Sequence, residues 1–211
     1  MKNIKDAAMI AKWVREKEIQ ACFDTQDIAF QGRQYEKGEY ITVPYRPLKE
    51  LLFLIEGTVR IYGLHSDGSI SPVNQHEAPI LLGDIEFSSR GTPLFFTEAV
   101  TNVSCVCVDI DQYYEQLQND VRFLRTLLRS YEEKLQLFAF VDAQAASIEE
   151  RVLLYMQNFC PEQELYGIEA AVLQLRCSRR QLQRVLHKLC ENGSVQKLGK
   201  GRYRLMSEPF I

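Results

Sequence analysis

Hydrophobic and polar positions divide the chain into three textures. From Lys2 to about Cys22, Ile4, Ala8, Ala11 and Val14 recur at helical spacing with Trp13 beside them, which predicts an amphipathic helix. From about Phe30 the apolar residues gather into short runs: Tyr40–Val43, Leu51–Ile55, Thr58–Tyr62, Ile80–Leu82, Phe95–Thr97 and Val103–Val108. Gly38, Gly57, Gly68 and Gly83 lie between or at the edges of these runs, where a tight turn or a positive φ suits glycine. Many short strands at regular spacing predict an antiparallel roll or sandwich filling an N-terminal domain over 1–118.

After Asp109 the β pattern stops and helices follow. Asn119 and Asp120 are suited to cap a long helix, in which Val121, Leu124, Leu128, Tyr131, Leu135 and Phe138 repeat at spacings of 3 and 4. So narrow a stripe is buried most simply against a second copy of itself, giving a dimerisation helix and hinge over 119–146. Packing on the chain's own β-domain is the alternative. Leu127 and Leu137, off the stripe, suit that internal contact, so both can hold. The hinge falls at Asp142–Ala146, and Ser147 with Glu150 forms a capping box that opens a helix to about Asn158, ended by Pro161.

The last domain, 147–211, carries the sharpest local pattern. Ile168–Leu175 reads as a short helix with Ala171, Val172 and Leu175 inward, and Arg176–Ser178 as a tight turn. Ser178 and Gln181 make a second capping box. Leu182, Val185, Leu186 and Leu189 then form a buried stripe, leaving Arg179, Arg180, Gln183, Arg184 and His187 on the other faces. Gly193 stops this helix. Ser194–Leu198 and Arg202–Leu205 flank a Gly199–Gly201 tip as a β-hairpin bearing Lys197, Lys200, Arg202 and Arg204. A helix presenting arginines from its first turns has the geometry to meet guanine edges in a major groove, Ser178 is placed for a phosphate, and a basic hairpin suits the adjacent backbone. A protein-docking module is the competing reading of the same helices and hairpin.

Charge strengthens the first of these. The 211 residues carry a formal net charge of −3, yet Ile168–Ile211 holds nine Lys or Arg against three acids, a net of +6 on a body of −9. A basic block on an acidic body points to a local polyanion surface. Hydrophobic residues at 46% and charged residues at 25% are those of an ordinary soluble protein. The absence of a signal-like or membrane-length apolar run predicts a cytoplasmic protein without membrane contact. The six cysteines (Cys22, Cys105, Cys107, Cys160, Cys177 and Cys190) form no C-x-x-C and read as reduced, mostly buried thiols. Cys105 and Cys107 share one strand face, as packing groups or as a redox pair. The histidines, His65, His76 and His187, supply no H-x-H, so no metal and no cofactor is expected. His65 and His76 read as surface residues, and an enzymatic role has no constellation to support it.

Three stretches, Tyr35–Glu39, Leu52–Val59 and Gly83–Glu86, together with Arg176–Leu186, resemble the motifs of the Crp/Fnr family, the cyclic-AMP receptor protein and fumarate–nitrate regulator group. The resemblance runs from about residue 30 onward. It implies an α+β fold: an N-terminal antiparallel β-roll of cyclic-nucleotide-binding type, a long dimerisation helix and a C-terminal winged helix-turn-helix. It further implies a homodimer on double-stranded DNA, with RNA polymerase a possible partner, and it places Arg179, Arg180 and Arg184 at base-contacting positions. Where many members carry Glu the chain has Arg180, which implies a different preferred sequence.

The departures bear on the effector. Gly83, Asp84, Ile85 and Glu86 keep the turn that holds a ribose in cyclic-nucleotide binders, with Asp one methylene shorter than Glu. The later stretch Thr92–Thr97 has no arginine for a cyclic phosphate, and Arg90 is wrongly spaced. Leu135–Phe140 lacks adenine-contacting hydroxyls, and Cys22 alone is too few for an iron–sulfur cluster. The texture is that of a cyclic-nucleotide-independent, YeiL-like branch with an unknown effector. A small-molecule-binding interaction module without enzymatic activity is the alternative.

Overall fold

The computed structural model describes residues 1–206 apart from 45, 65–67, 69, 90–92, 94 and 144–146, and leaves the side chains of 89 and 137–143 undescribed. The chain divides into two compact units, Met1–Lys134 and Leu135–Ile211.

The strands of the first unit are β1 (Lys2–Ile4), β2 (Gln31–Tyr35), β3 (Tyr40–Thr42), β4 (Glu50–Glu56), β5 (Thr58–Leu64), β6 (Ile70–Glu77), β7 (Ile80–Leu82), β8 (Phe95–Ala99) and β9 (Val103–Asp109). They form two antiparallel sheets, one in the order β1-β2-β9-β4-β7 and the other β3-β8-β5-β6. β4 and β9 read as nearly unbroken apolar runs because both of their faces are covered. Leu52, Leu54, Cys105 and Cys107 join Tyr35, Val59 and Ala99 in one core. Leu51, Ile55, Val106 and Val108 join a second core with Ile19, Phe23, Phe87, Leu117 and Phe123. In that second core Phe23 stacks on Phe123 at 5.3 Å and Phe87 meets Phe123 edge-on at 5.0 Å.

The single helix expected over Lys2–Cys22 is not what forms. Asp6 accepts from Met9 N at 3.0 Å and starts α1 (Ala7–Glu16), while Glu18, at φ 51°, breaks the helix before a 3-10 turn at Ile19–Cys22. The residues ahead of the cap pair with β2, Ile4 opposite Gly32, where a Cβ would stand 2.8 Å from that of Ile4. Two further helices, α2 (Asp84–Ser89) and α3 (Ile110–Leu117), carried no pattern long enough to announce them. The long helix α4 (Val121–Ala143) begins as expected: Asp120 accepts from Phe123 N at 2.9 Å, and also binds the backbone of Asp24 and Thr25. Asp142 and Ala143 are helical, and the remainder of the expected hinge, 144–146, lies outside the described residues.

The second unit contains α5 (Ile148–Phe159), β10 (Glu164–Tyr166), α6 (Ile168–Gln174), α7 (Arg179–Glu191), β11 (Val195–Gly199) and β12 (Arg202–Leu205). Both capping boxes form, at Ser147/Glu150 and Ser178/Gln181. The hairpin gains a third strand that its sequence did not signal, giving the order β10-β12-β11. Three helices and this sheet enclose a core around Val152, Met156, Leu165, Leu175, Leu186 and Val195.

Candidate nucleic-acid interface

Helix α7 is held by its apolar stripe and presents the opposite side. Leu182, Val185, Leu186 and Leu189 are buried, while Arg180, Gln183, Arg184 and His187, at i, i+3, i+4 and i+7, share one exposed face. The turn before it is tight: Arg176 takes φ 45°, and Cys177 N reaches Val172 O at 3.2 Å. Ser178 Oγ then accepts from Gln181 N at 3.1 Å and Gln181 Oε1 accepts from Ser178 N at 2.8 Å. Because the Ser178 hydroxyl accepts in this box, its proton is left for an anion.

The predicted interface residues are not equivalent. Arg179 is drawn toward α6, donating to Glu169 Oε1 at 2.6 Å with both side chains more than half exposed. Such a surface pair is worth only about 0–1 kcal/mol and exchanges readily for a stronger anion. Arg180 and Arg184 have no ion-pair partner among the described residues. On the hairpin, Lys197 and Lys200 are exposed near a tip where Gly201 takes φ 70°.

Arg202 and Arg204 instead share one carboxylate. Glu164 on β10 is buried at 3% exposure, with Arg204 Nε donating at 2.8 Å and Arg202 Nη2 at 3.3 Å. Hydrogen bonds from Tyr166 and from Arg204 hold its pKa down to about 2. Neither Glu164 nor Tyr166 was singled out from the sequence. The only signal of the pair was a basic strand with no local acid, and its partner lies 38 residues away.

In the first unit the four-residue turn has a definite geometry. Gly83 runs at φ 89°, and a Cβ there would sit 2.8 Å from Leu48 Cδ2 and 3.0 Å from Glu50 O. Asp84, 1% exposed, opens α2 and accepts from Lys134 Nζ at 2.6 and 2.7 Å and from Ser130 Oγ at 2.6 Å. Tyr131 Oη donates to Asp84 O at 2.5 Å. The Asp84 carboxylate is thus engaged by α4, Ile85 is exposed, and Glu86 is half-buried, its pKa raised by burial.

Along α4, Val121, Leu124, Leu128 and Leu135 are exposed, by 54, 37, 65 and 68%. Phe123 and Leu127 face the roll instead, at 0 and 3%. Tyr131 departs from its expected place on the outer stripe, because its ring packs on the roll and its hydroxyl is bound there. The side chain of Phe138 lies outside the described residues.

Residues 32–120 match the cyclic nucleotide-binding domain family. The chain is 24% identical over 192 residues to the regulatory protein YeiL of Escherichia coli O157:H7, covering 88% of this chain and 87% of that one. The fold is similar to FixK2 of Bradyrhizobium japonicum, with a TM-score of 0.68, 18% identity and coverage of 85 and 94%. It is also similar to a CRP-family transcriptional regulator of Thermus thermophilus, with a TM-score of 0.60, 19% identity and coverage of 83 and 92%. Together these likenesses support the resemblance to the Crp/Fnr family.

Within the first unit a further expectation is overturned. His76 is not a surface residue: it lies half-buried on β6, opposite Val59, with its pKa lowered to about 4 by burial and by the Lys134 ammonium. A strand that reads ISPVNQHE looks solvated, yet Asn74 is buried on it and His76 is half-buried. His65, Arg90, Thr92 and Leu94 lie outside the described residues. Cys105 and Cys107 are buried with their Sγ atoms 3.8 Å apart, and all six cysteines are free thiols. Among the described residues no three His, Cys, Asp or Glu side chains converge as a metal site, and no helix is long and apolar enough to cross a membrane.

Proposed function

We propose that this chain is a sequence-specific DNA-binding transcription regulator, cytoplasmic and without an enzymatic activity of its own. It acts as a homodimer on an inverted repeat and is not switched by cyclic AMP. The observation that carries this reading is the outward face of α7, where Arg180, Gln183 and Arg184 project from the first turns of a capped helix. An arginine there is shaped for bidentate contact with guanine O6 and N7. Lys197, Lys200 and the Ser178 hydroxyl supply phosphate contacts that set register, with Arg179 joining them once it leaves Glu169.

The exposed leucines of α4 support the homodimer, since a second copy of the same stripe would cover them. Two recognition helices related by that dimer would meet half-sites about one helical turn apart. Independence from cyclic AMP is supported by the Asp84 carboxylate, already satisfied by Lys134 and Ser130. RNA polymerase is the natural further partner, and no effector is assigned.

Selection from a random duplex pool tests the reading. The wild type should recover an inverted repeat. Arg180→Ala and Arg184→Ala should each relax preference within a half-site, at a cost of roughly 1–3 kcal/mol. Unchanged selectivity in both variants would remove α7 as the reading element.

A further inference from the structure

The wing arginines are not free charges, and the group that restrains them has no place in the reading above. In the antiparallel register Glu164 faces Arg204 and Tyr166 faces Arg202. Residues directly opposite share a face, so the four side chains form one cluster on the sheet. Arg204 places both Nε and Nη2 on Glu164 Oε1. Tyr166 Oη donates to Glu164 Oε2 at 2.5 Å and accepts from Arg202 Nη2 at 3.0 Å, while the Arg202 guanidinium lies 4.7 Å from the Tyr166 ring centroid. The carboxylate is 3% exposed, whereas the arginines are 51 and 50% exposed. Each guanidinium has five N–H donors, so each keeps an outward edge after serving Glu164.

We propose that Glu164 is a positioning residue of the DNA interface: it aims the outward edges of Arg202 and Arg204 and cancels one unit of wing charge, so that the wing favours correct register over indiscriminate attraction. This rests on the DNA reading above. Two effects follow from the cluster. Guanidiniums already ordered lose less freedom on meeting phosphate, which favours the one geometry they fit. The sequence-independent pull of duplex DNA rises with the number of cations offered to it, so an internal anion reduces that pull. Tyr166 contributes both a proton to Glu164 and a face to Arg202.

The experiment measures binding of the full-length protein to a selected site and to a random-sequence 30-bp duplex across a salt series. Glu164→Gln keeps the shape and removes the charge. It should bind the random duplex about 3–10-fold tighter and steepen the plot of log affinity against log salt by up to about one unit. The ratio of selected to random affinity should fall by a similar factor. Glu164→Asp, which restores the charge, should return the ratio toward wild type. Tyr166→Phe, at an exposed position, should shift the ratio in the same direction by less, and it decides the matter if Glu164→Gln does not fold. An unchanged salt slope and ratio, or an equal loss on both duplexes, would overturn the proposal. Wild-type protein that binds no duplex at low salt would instead overturn the DNA reading itself.

Discussion

His76 shows what one side chain contributes by being half-buried beside a cation. Its folded pKa, lowered to about 4 by burial and by Lys134, stands below the unfolded value of 6.5. Between those two values the unfolded chain binds a proton that the folded chain refuses. The stability contributed by a neutral His76 is therefore present above about pH 6.5 and is lost as pH falls toward 4, at up to about 1.4 kcal/mol per pH unit. Urea titrations of the wild type and His76→Gln across pH 4–7 should diverge in that window, and parallel curves would refute the assignment. Other residues yielded to the sequence more fully. Ser147, Ser178 and Gln181 act on amides three residues away, and a spacing of three is visible in a string of letters. Glu164 and Arg204 lie 40 residues apart, and nothing local to either announces the other.

At the scale of elements, α4 serves three sides with one sequence. Its inner row, Phe123 and Leu127, packs on the roll; Ser130, Tyr131 and Lys134 bind the Asp84 turn; its outer row remains exposed. Lys134→Met would leave a buried carboxylate without its cation, a loss expected to cost about 3–5 kcal/mol in chemical denaturation. The double variant Asp84→Asn/Lys134→Met should recover much of it, because no buried charge then remains. Leu128→Lys acts on the outer row, and in sedimentation it should yield a monomer with an intact thermal transition. A variant that stays dimeric would place the interface elsewhere. The heptad spacing located the outer row, but it assigned Tyr131 to that row as well. A 3.6-residue helix drifts against a 3.5-residue repeat, and a tyrosine on the boundary turns toward whichever neighbour binds its hydroxyl.

The whole molecule combines a roll whose Gly83–Glu86 turn is engaged from within and a second unit that presents one arginine face. Cyclic AMP added to the full-length protein should give no calorimetric heat at micromolar concentration and no change in DNA affinity, since Asp84 is already charge-paired and the stretch from Thr92 to Thr97 offers no arginine for the phosphate. A micromolar complex would reverse that conclusion. The sequence alone determined the succession of β-roll, long helix and terminal helix–hairpin unit, together with the caps of α4, α5 and α7 and the buried stripe of α7, because these depend on contacts within about one turn or one strand. Only the tertiary structure decided where the long-range charges go: Asp84 to Lys134, Glu164 to Arg202 and Arg204, and His76 into the half-buried strand. The physical reason is that burial removes water as a partner, so each charged or polar group takes whatever side chain the fold brings within reach, however distant it is along the chain.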